Sequence, residues 1–196
     1  MKPISILRRT AVLFAAVLAL TLVGCGGAKQ KYYRLSSDGP APVGTTGLSV
    51  GIGPVTLPGY LDRAELVFQS TTNEFQVPLD AHWTGTLKDN ISNVLAANVG
   101  NRLRSGNVVS FPWNPILKLR YTVAVDVNRF QAVSGKGAIL EVSWRVLGGG
   151  EGQLISRHNA RYEEPVQGDG YDPVVAAESR LLARLADDIA ASLRHR

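Results

Sequence analysis

The side chains best equipped for chemistry in this 196-residue chain are one thiol, Cys25, three imidazoles, His82, His158 and His195, and two adjacent carboxylate pairs, Glu163-Glu164 and Asp187-Asp188. A single cysteine excludes an internal disulfide and leaves nucleophilic attack as the chemistry a thiol offers. None of the histidines is spaced with Cys, Asp or Glu as metal ligands are, and a closed zinc site takes four donors, so no metal is expected. Neighbouring strand residues point to opposite faces, and i,i+1 residues of a helix do not face each other. Neither carboxylate pair is therefore a ready acid/base dyad; both read as solvated faces. Gly135-Lys136-Gly137 lacks the flanking glycine and Ser/Thr of a phosphate-binding loop, and no G-x-S-x-G elbow occurs. No catalytic residue emerges, and the chain does not read as an enzyme.

Cys25 gains its meaning from what precedes it. Lys2, Arg8 and Arg9 are followed by the apolar run from Ala11 to Val23 and a small-residue exit, which is the pattern of a secretory signal peptide. The run is too short for a span, which needs ~20 apolar residues. A buried N-terminal helix would leave the polar Gly-Gly-Ala-Lys-Gln exit unexplained. Leu22-Val23-Gly24-Cys25 resembles the lipobox of bacterial lipoproteins, in which a peptidase cuts before a thioether-lipidated cysteine. The resemblance implies a signal peptide over 1–24, a lipidated tether over 25–31 and one domain over 32–196. It also implies diacylglyceryl and N-acyl lipid, palmitate among it, on Cys25, with no other cofactor. One acyl chain holds only marginally, whereas several make a durable anchor. Gly26, where Asp would signal retention in the inner membrane, points to the periplasmic face of the outer membrane.

Removing 1–24 takes away three basic and no acidic residues, leaving 18 Lys and Arg against 16 Asp and Glu in 172 residues. A net charge of +2 gives no support to nucleic-acid binding, and the length suits one domain with a sizeable core. The seven residues from Cys25 to Lys31 reach at most ~25 Å when extended. The domain must sit close to its membrane, and a partner rooted in the other membrane has to come across to it.

Hydrophobic period supplies the elements. Lys31–Leu35 and Leu48–Val55 read as strands, the second with Gly51 and Gly53 marking close backbone approach. A Pro-Gly turn at 58–59 leads to Tyr60, Leu61, Asp62 and Arg63, then to a hairpin over 65–77 turning near Thr72-Asn73. Trp83, Leu87, Ile91, Val94, Leu95 and Leu103 predict a helix capped by Asp80 and stopped at Ser105-Gly106-Asn107. A short strand over 108–111 follows. Strict alternation from Leu117 to Val127 predicts a half-buried strand, continued by 140–146 and 154–162 as an antiparallel meander. Asp172-Pro173 opens a second helix, with Leu181, Leu182, Leu185, Ile189 and Leu193 on one face. The expected fold class is α+β: a two-layer domain with a largely antiparallel sheet of about eight strands and two long helices packed on one face.

Tyr32-Tyr33-Arg34-Leu35 after the lipobox, the glycine-flanked strand ending Val55-Thr56-Leu57-Pro58, the stretch Gly59-Tyr60-Leu61-Asp62-Arg63 and Trp83 together resemble the PqiC-type auxiliary lipoproteins of ABC-type transport systems. His82 departs from the Arg usual before the tryptophan. The resemblance implies an outer-membrane docking subunit for an MCE-domain protein that carries lipid between membranes, and a homo-oligomer. Tyr60, Leu61, Asp62 and Arg63 then have two readings. They form a docking surface, or a packed corner with Asp62 and Arg63 solvated. Trp83 is expected in the core. Two other functions stand beside the adaptor: a pilot lipoprotein for an outer-membrane pore or β-barrel complex, and a lipid-anchored hydrolase, for which no catalytic cluster is present.

Overall fold

A computed structural model describes residues 29–40, 42–43, 47–149 and 152–194. The signal segment, Leu22, Val23, Gly24, Cys25, most of the tether and His195 lie outside the described residues. Among the described residues the order is β1 Lys31–Tyr33, β2 Val50–Thr56, β3 Phe68–Gln69, β4 Phe75–Gln76, β5 Ala81–Trp83, α1 Leu87–Leu103, β6 Val108–Ser110, β7 Tyr121–Val133, β8 Gly137–Gly148, β9 Leu154–Glu164 and α2 Tyr171–Arg194.

Strand β7 is the spine of a seven-stranded mixed sheet. On one side it pairs antiparallel with β8, which pairs antiparallel with β9, as the meander required. On its other side it pairs parallel with β2 over its first half and with β3 at Ala132 and Val133. Strand β6 lies parallel beside β2, and β4 antiparallel beside β3. Parallel neighbours need a long crossover, and α1 lies within the connection between β2 and β6. A separate parallel ribbon pairs β1 with β5. Both helices pack on one face of the sheet and against each other. The α+β expectation holds, with β2, β3 and β6 making the sheet mixed.

The apolar face of α2 is the one the spacing marked: Leu181, Leu182, Leu185, Ile189 and Leu193 are all buried. Each such side chain contributes about 1.5–3 kcal/mol on leaving water. Helix α1 begins later than expected. Thr86, not Asp80, is its cap, and its hydroxyl accepts from the Asp89 amide at 3.1 Å. Residues 81–83 are instead drawn into β5. The Lys31 amide donates to the Asp80 carbonyl at 2.7 Å, and the Trp83 amide to the Ala64 carbonyl at 2.7 Å. Trp83 is in the core, as expected, but from a strand. Its spacing of four to Leu87 fits a helix equally well, and only pairing with β1 decides between them.

The strand expected from Leu117 starts at Tyr121. Residues 113–119 fold across the far face of β2, and Gly51 is what admits them. A Cβ there would stand 2.7 Å from Leu119 Cδ1 and 2.8 Å from Trp113. Further along β7 the alternation changes phase. The register with β8 shifts between Val127 and Arg129, so Asn128 is an extra residue. Beyond this bulge the position facing the apolar core becomes Phe130, and Gln131 is buried on the opposite face.

The molecule has two distinct ends. The starts of β2 and β7, the end of β8 and the end of α1 lie together at the far end, where the Ser105 hydroxyl donates to the Leu48 carbonyl at 2.8 Å. At the tether end lie β1, β5, the β3–β4 hairpin, the start of α1 and the start of α2, whose Tyr171 ring lies 5.4 Å from Phe68. The 13 residues of β7 put about 40 Å between the ends at ~3.3 Å per residue.

Candidate functional site

The stretch after β2 forms a corner at the tether end. The Leu61 amide donates to the Pro58 carbonyl, closing a turn, and the Leu61 side chain is 2% exposed. Tyr60 is half-buried beside Phe75, with ring centroids 5.0 Å apart, and its hydroxyl donates to Gln131 Oε1 at 2.9 Å. Burial raises the Tyr60 pKa above the ordinary phenol value, and the charge of Arg129 works against that rise. Asp62 and Arg63 point into water with their own partners, Lys88 at 2.6 Å and Glu65 at 2.9 Å. The Arg63 guanidinium holds the Glu65 carboxyl below its ordinary range. The four residues divide by role. Tyr60 and Leu61 build the corner, and Asp62 and Arg63 are what an approaching molecule could reach.

Behind Tyr60 runs a polar ribbon that residue spacing did not disclose. Gln131, 1% exposed, donates from Nε2 to Gln69 Oε1 at 3.2 Å, and Arg129 donates to the same oxygen. Arg129 then meets Glu141 at 3.5 Å, Glu141 meets Arg161 at 2.9 Å, and Arg161 meets Glu163 at 2.6 Å. The bulge at Asn128 turns Gln131 to the face opposite the helices. A buried glutamine is tolerated there because its amide and carbonyl both find partners. The only signal in the sequence was a polar residue inside an otherwise apolar strand end.

The carboxylate pairs separate as their spacing requires, but each member has a cation or hydroxyl partner. Glu164 accepts from Arg180 at 3.3 Å and Arg184 at 3.2 Å. Tyr162 donates to Asp188 at 2.5 Å, and burial, then that contact, raises its pKa. Asp187 binds Arg102 Nε at 2.7 Å, and the same guanidinium meets Asp38 at 2.6 Å. Arg102 thereby ties the segment before β2 to both helices, and its hydrogen bond holds the Asp38 carboxyl below its ordinary value. His82 lies in β5, 5.7 Å from the Tyr32 ring, and His158 in β9 stacks on Trp144 at 5.0 Å. No group of three His, Cys, Asp or Glu side chains converges as a metal site among the described residues. Nor is any described helix long and apolar enough to cross a membrane.

An open cleft of about 1150 Å³ lies at the tether end, between the β3–β4 hairpin, the β7–β8 turn and the start of α2. Phe68, Val77, Tyr171 and Val174 supply apolar walls, with Lys136 and Asp169 at polar positions. It is a recess without a nucleophile and base held together.

The chain is similar to the intermembrane transport lipoprotein PqiC of Escherichia coli K12, 27% identical over 183 residues that cover 91% of this chain and 95% of that one. Its fold is shared with the crystal structure of an uncharacterized protein, with a TM-score of 0.69 at 23% identity, covering 84% of this chain and 99% of the other. Protein XCC0632 of Xanthomonas campestris shares it at a TM-score of 0.64 and 16% identity, covering 81% and 92%. The model of the ABC-type transport auxiliary lipoprotein component family matches residues 33–190, a stretch that holds both helices to within four residues of the end of α2, every strand from β2 onward and the Tyr60–Arg63 corner. A match over that much of the fold shows that this chain belongs to the family of ABC-type transport auxiliary lipoprotein components, which is a transport class and not an enzyme class.

Proposed function

We propose that the chain is exported, cut before Cys25, lipidated on that cysteine and held at the periplasmic face of the outer membrane. There it serves as the docking subunit of an MCE-type intermembrane lipid transport system, working as a homo-oligomer. The observation that carries this reading is the similarity to an intermembrane transport lipoprotein along 91% of the chain. The lipobox at Leu22-Val23-Gly24-Cys25 and the short spacer support it independently, because a tether of at most ~25 Å keeps the domain where a partner spanning the periplasm must arrive. Asp62 and Arg63 are the residues of the corner through which docking would be felt, with Tyr60 and Leu61 supporting them from behind.

The test is a crosslinked pulldown of the lipidated protein from membranes, with mass spectrometry of the captured partners. An MCE-domain protein among the dominant partners is the expected result. Capture of pore or barrel-assembly components alone would overturn the transport reading in favour of a pilot. In the same preparation Cys25→Ser is expected to abolish palmitate labelling and membrane retention.

A further inference from the structure

The entry point of the tether is bordered by exposed apolar side chains. Tyr32 is 64% exposed in β1, and its hydroxyl donates to Gln30 at 3.0 Å. Leu79 is 86% exposed. The hydrogen bond from the Lys31 amide to the Asp80 carbonyl puts Leu79 one residue from the β1–β5 pairing that holds Tyr32. Lys29 and Lys31, both exposed, lie just before Tyr32 in the chain. The nearby carboxylate of Asp80 accepts from the Tyr171 hydroxyl at 3.3 Å.

A tyrosine, a leucine and two lysines, all exposed around β1 and the approach to β5, suit a lipid–water boundary. The aromatic ring sits at headgroup depth, the aliphatic side chain goes deeper, and the ammonium groups meet lipid phosphates. Tether length says what covers this surface. Lys31 lies within ~25 Å of the Cys25 sulfur, so the leaflet that holds the lipid is always at hand. Ile116, 83% exposed, belongs to the segment at the opposite end of β7. With the tether end seated, that residue stands off the bilayer.

We propose that Tyr32 and Leu79, with Lys29 and Lys31, form a membrane-contact surface that seats the domain upright on the phospholipid leaflet holding its own anchor. This rests on lipidation of Cys25 as argued above. The full-length protein, lipidated in cells and reconstituted in phosphatidylethanolamine/phosphatidylglycerol vesicles, allows a direct test. Lipidation consumes the Cys25 thiol, so Leu79→Cys and Ile116→Cys each present one thiol for an environment-sensitive dye. Both positions are exposed, so neither change threatens folding.

Brominated phospholipid is expected to quench the dye at position 79 to about half or less, from a depth of ~5–10 Å into the interface, and to leave position 116 unchanged. An unquenched dye at 79 on protein that stays with the vesicles overturns the contact surface and leaves the anchor standing. Equal quenching at both positions also overturns it. If the protein washes off in carbonate and Cys25 itself takes up dye, the lipidation reading fails and the contact surface falls with it.

Discussion

Glu178 lies on the buried face of α2, 3% exposed, with Oε2 lacking a hydrogen-bond partner among the described residues. Burial raises its pKa well above the ordinary carboxyl value. The native state therefore holds the proton more tightly than the unfolded chain does. The stability Glu178 contributes is fully present below the ordinary carboxylate range and is lost as pH rises through the native pKa. Glu178→Gln removes that loss. We expect the variant to be more stable than the wild type at neutral pH by about 1–3 kcal/mol, with the gap closing toward acid, in urea titrations at several pH values. A variant no more stable at pH 7 would show that the carboxyl is solvated or paired. Asp38 works in the opposite sense. Its pKa is held down by Arg102, so its contribution is present above the ordinary range and is lost as pH falls through the lowered value.

At the scale of the element, β2 is shaped by what crosses it. Gly53 has φ +121°, and a Cβ there would lie 2.6 Å from Phe111 Cβ. Backbone strain and the clash act together, so Gly53→Ala is expected to cost about 1–3 kcal/mol in denaturant unfolding. Gly59, in the turn before Tyr60, would bring its Cβ within 4 Å of nothing. Gly59→Ala is expected to stay within about 0.5 kcal/mol of the wild type. If the two variants cost the same, neither the positive φ nor the contact with Phe111 demands glycine at 53. Helix α1 carries a smaller dependence of the same local kind. Its first turn rests on the Thr86 hydroxyl, and capping side chains of this type contribute about 1 kcal/mol.

For the whole molecule, β1, the cleft and the Tyr60–Arg63 corner all lie at one end of the sheet. On the reading that Cys25 carries the anchor, a partner docking on the corner would meet this domain at the membrane surface rather than in mid-periplasm. Exposed ion pairs such as Asp62–Lys88 and Arg63–Glu65 contribute little to folding, because water screens them. Replacing Asp62 and Arg63 together with serine should therefore leave the melting temperature within a few degrees of the wild type. On the docking reading it should lower crosslinked capture of the partner several-fold. Unchanged capture would place docking elsewhere, with the exposed Phe111, Ile116 and Leu117 at and near the far end as the next surface to test.

The sequence by itself determined whatever depends on local order. The charged start, apolar run and small residues before Cys25 mark the expected lipid attachment, because a lone thiol in that setting is readable without a fold. The period of α2, the β7–β9 meander and the hairpin turning near Thr72-Asn73 were legible too, since buried faces repeat every two or 3.6 residues. Tertiary structure alone decided the rest. Residues 81–83 are a strand because β1 lies beside them, and 117–119 stay out of β7 in a segment that Gly51 of β2 makes room for. Gln131 faces away from the helices because one extra residue at Asn128 reverses the faces of β7, and Tyr60 and Gln69 contact it there. The Arg102 and Gln69–Gln131–Arg129 contacts join residues dozens of positions apart. Long-range pairing fixes these features, and a single chain read in order carries no record of which of its segments lie side by side.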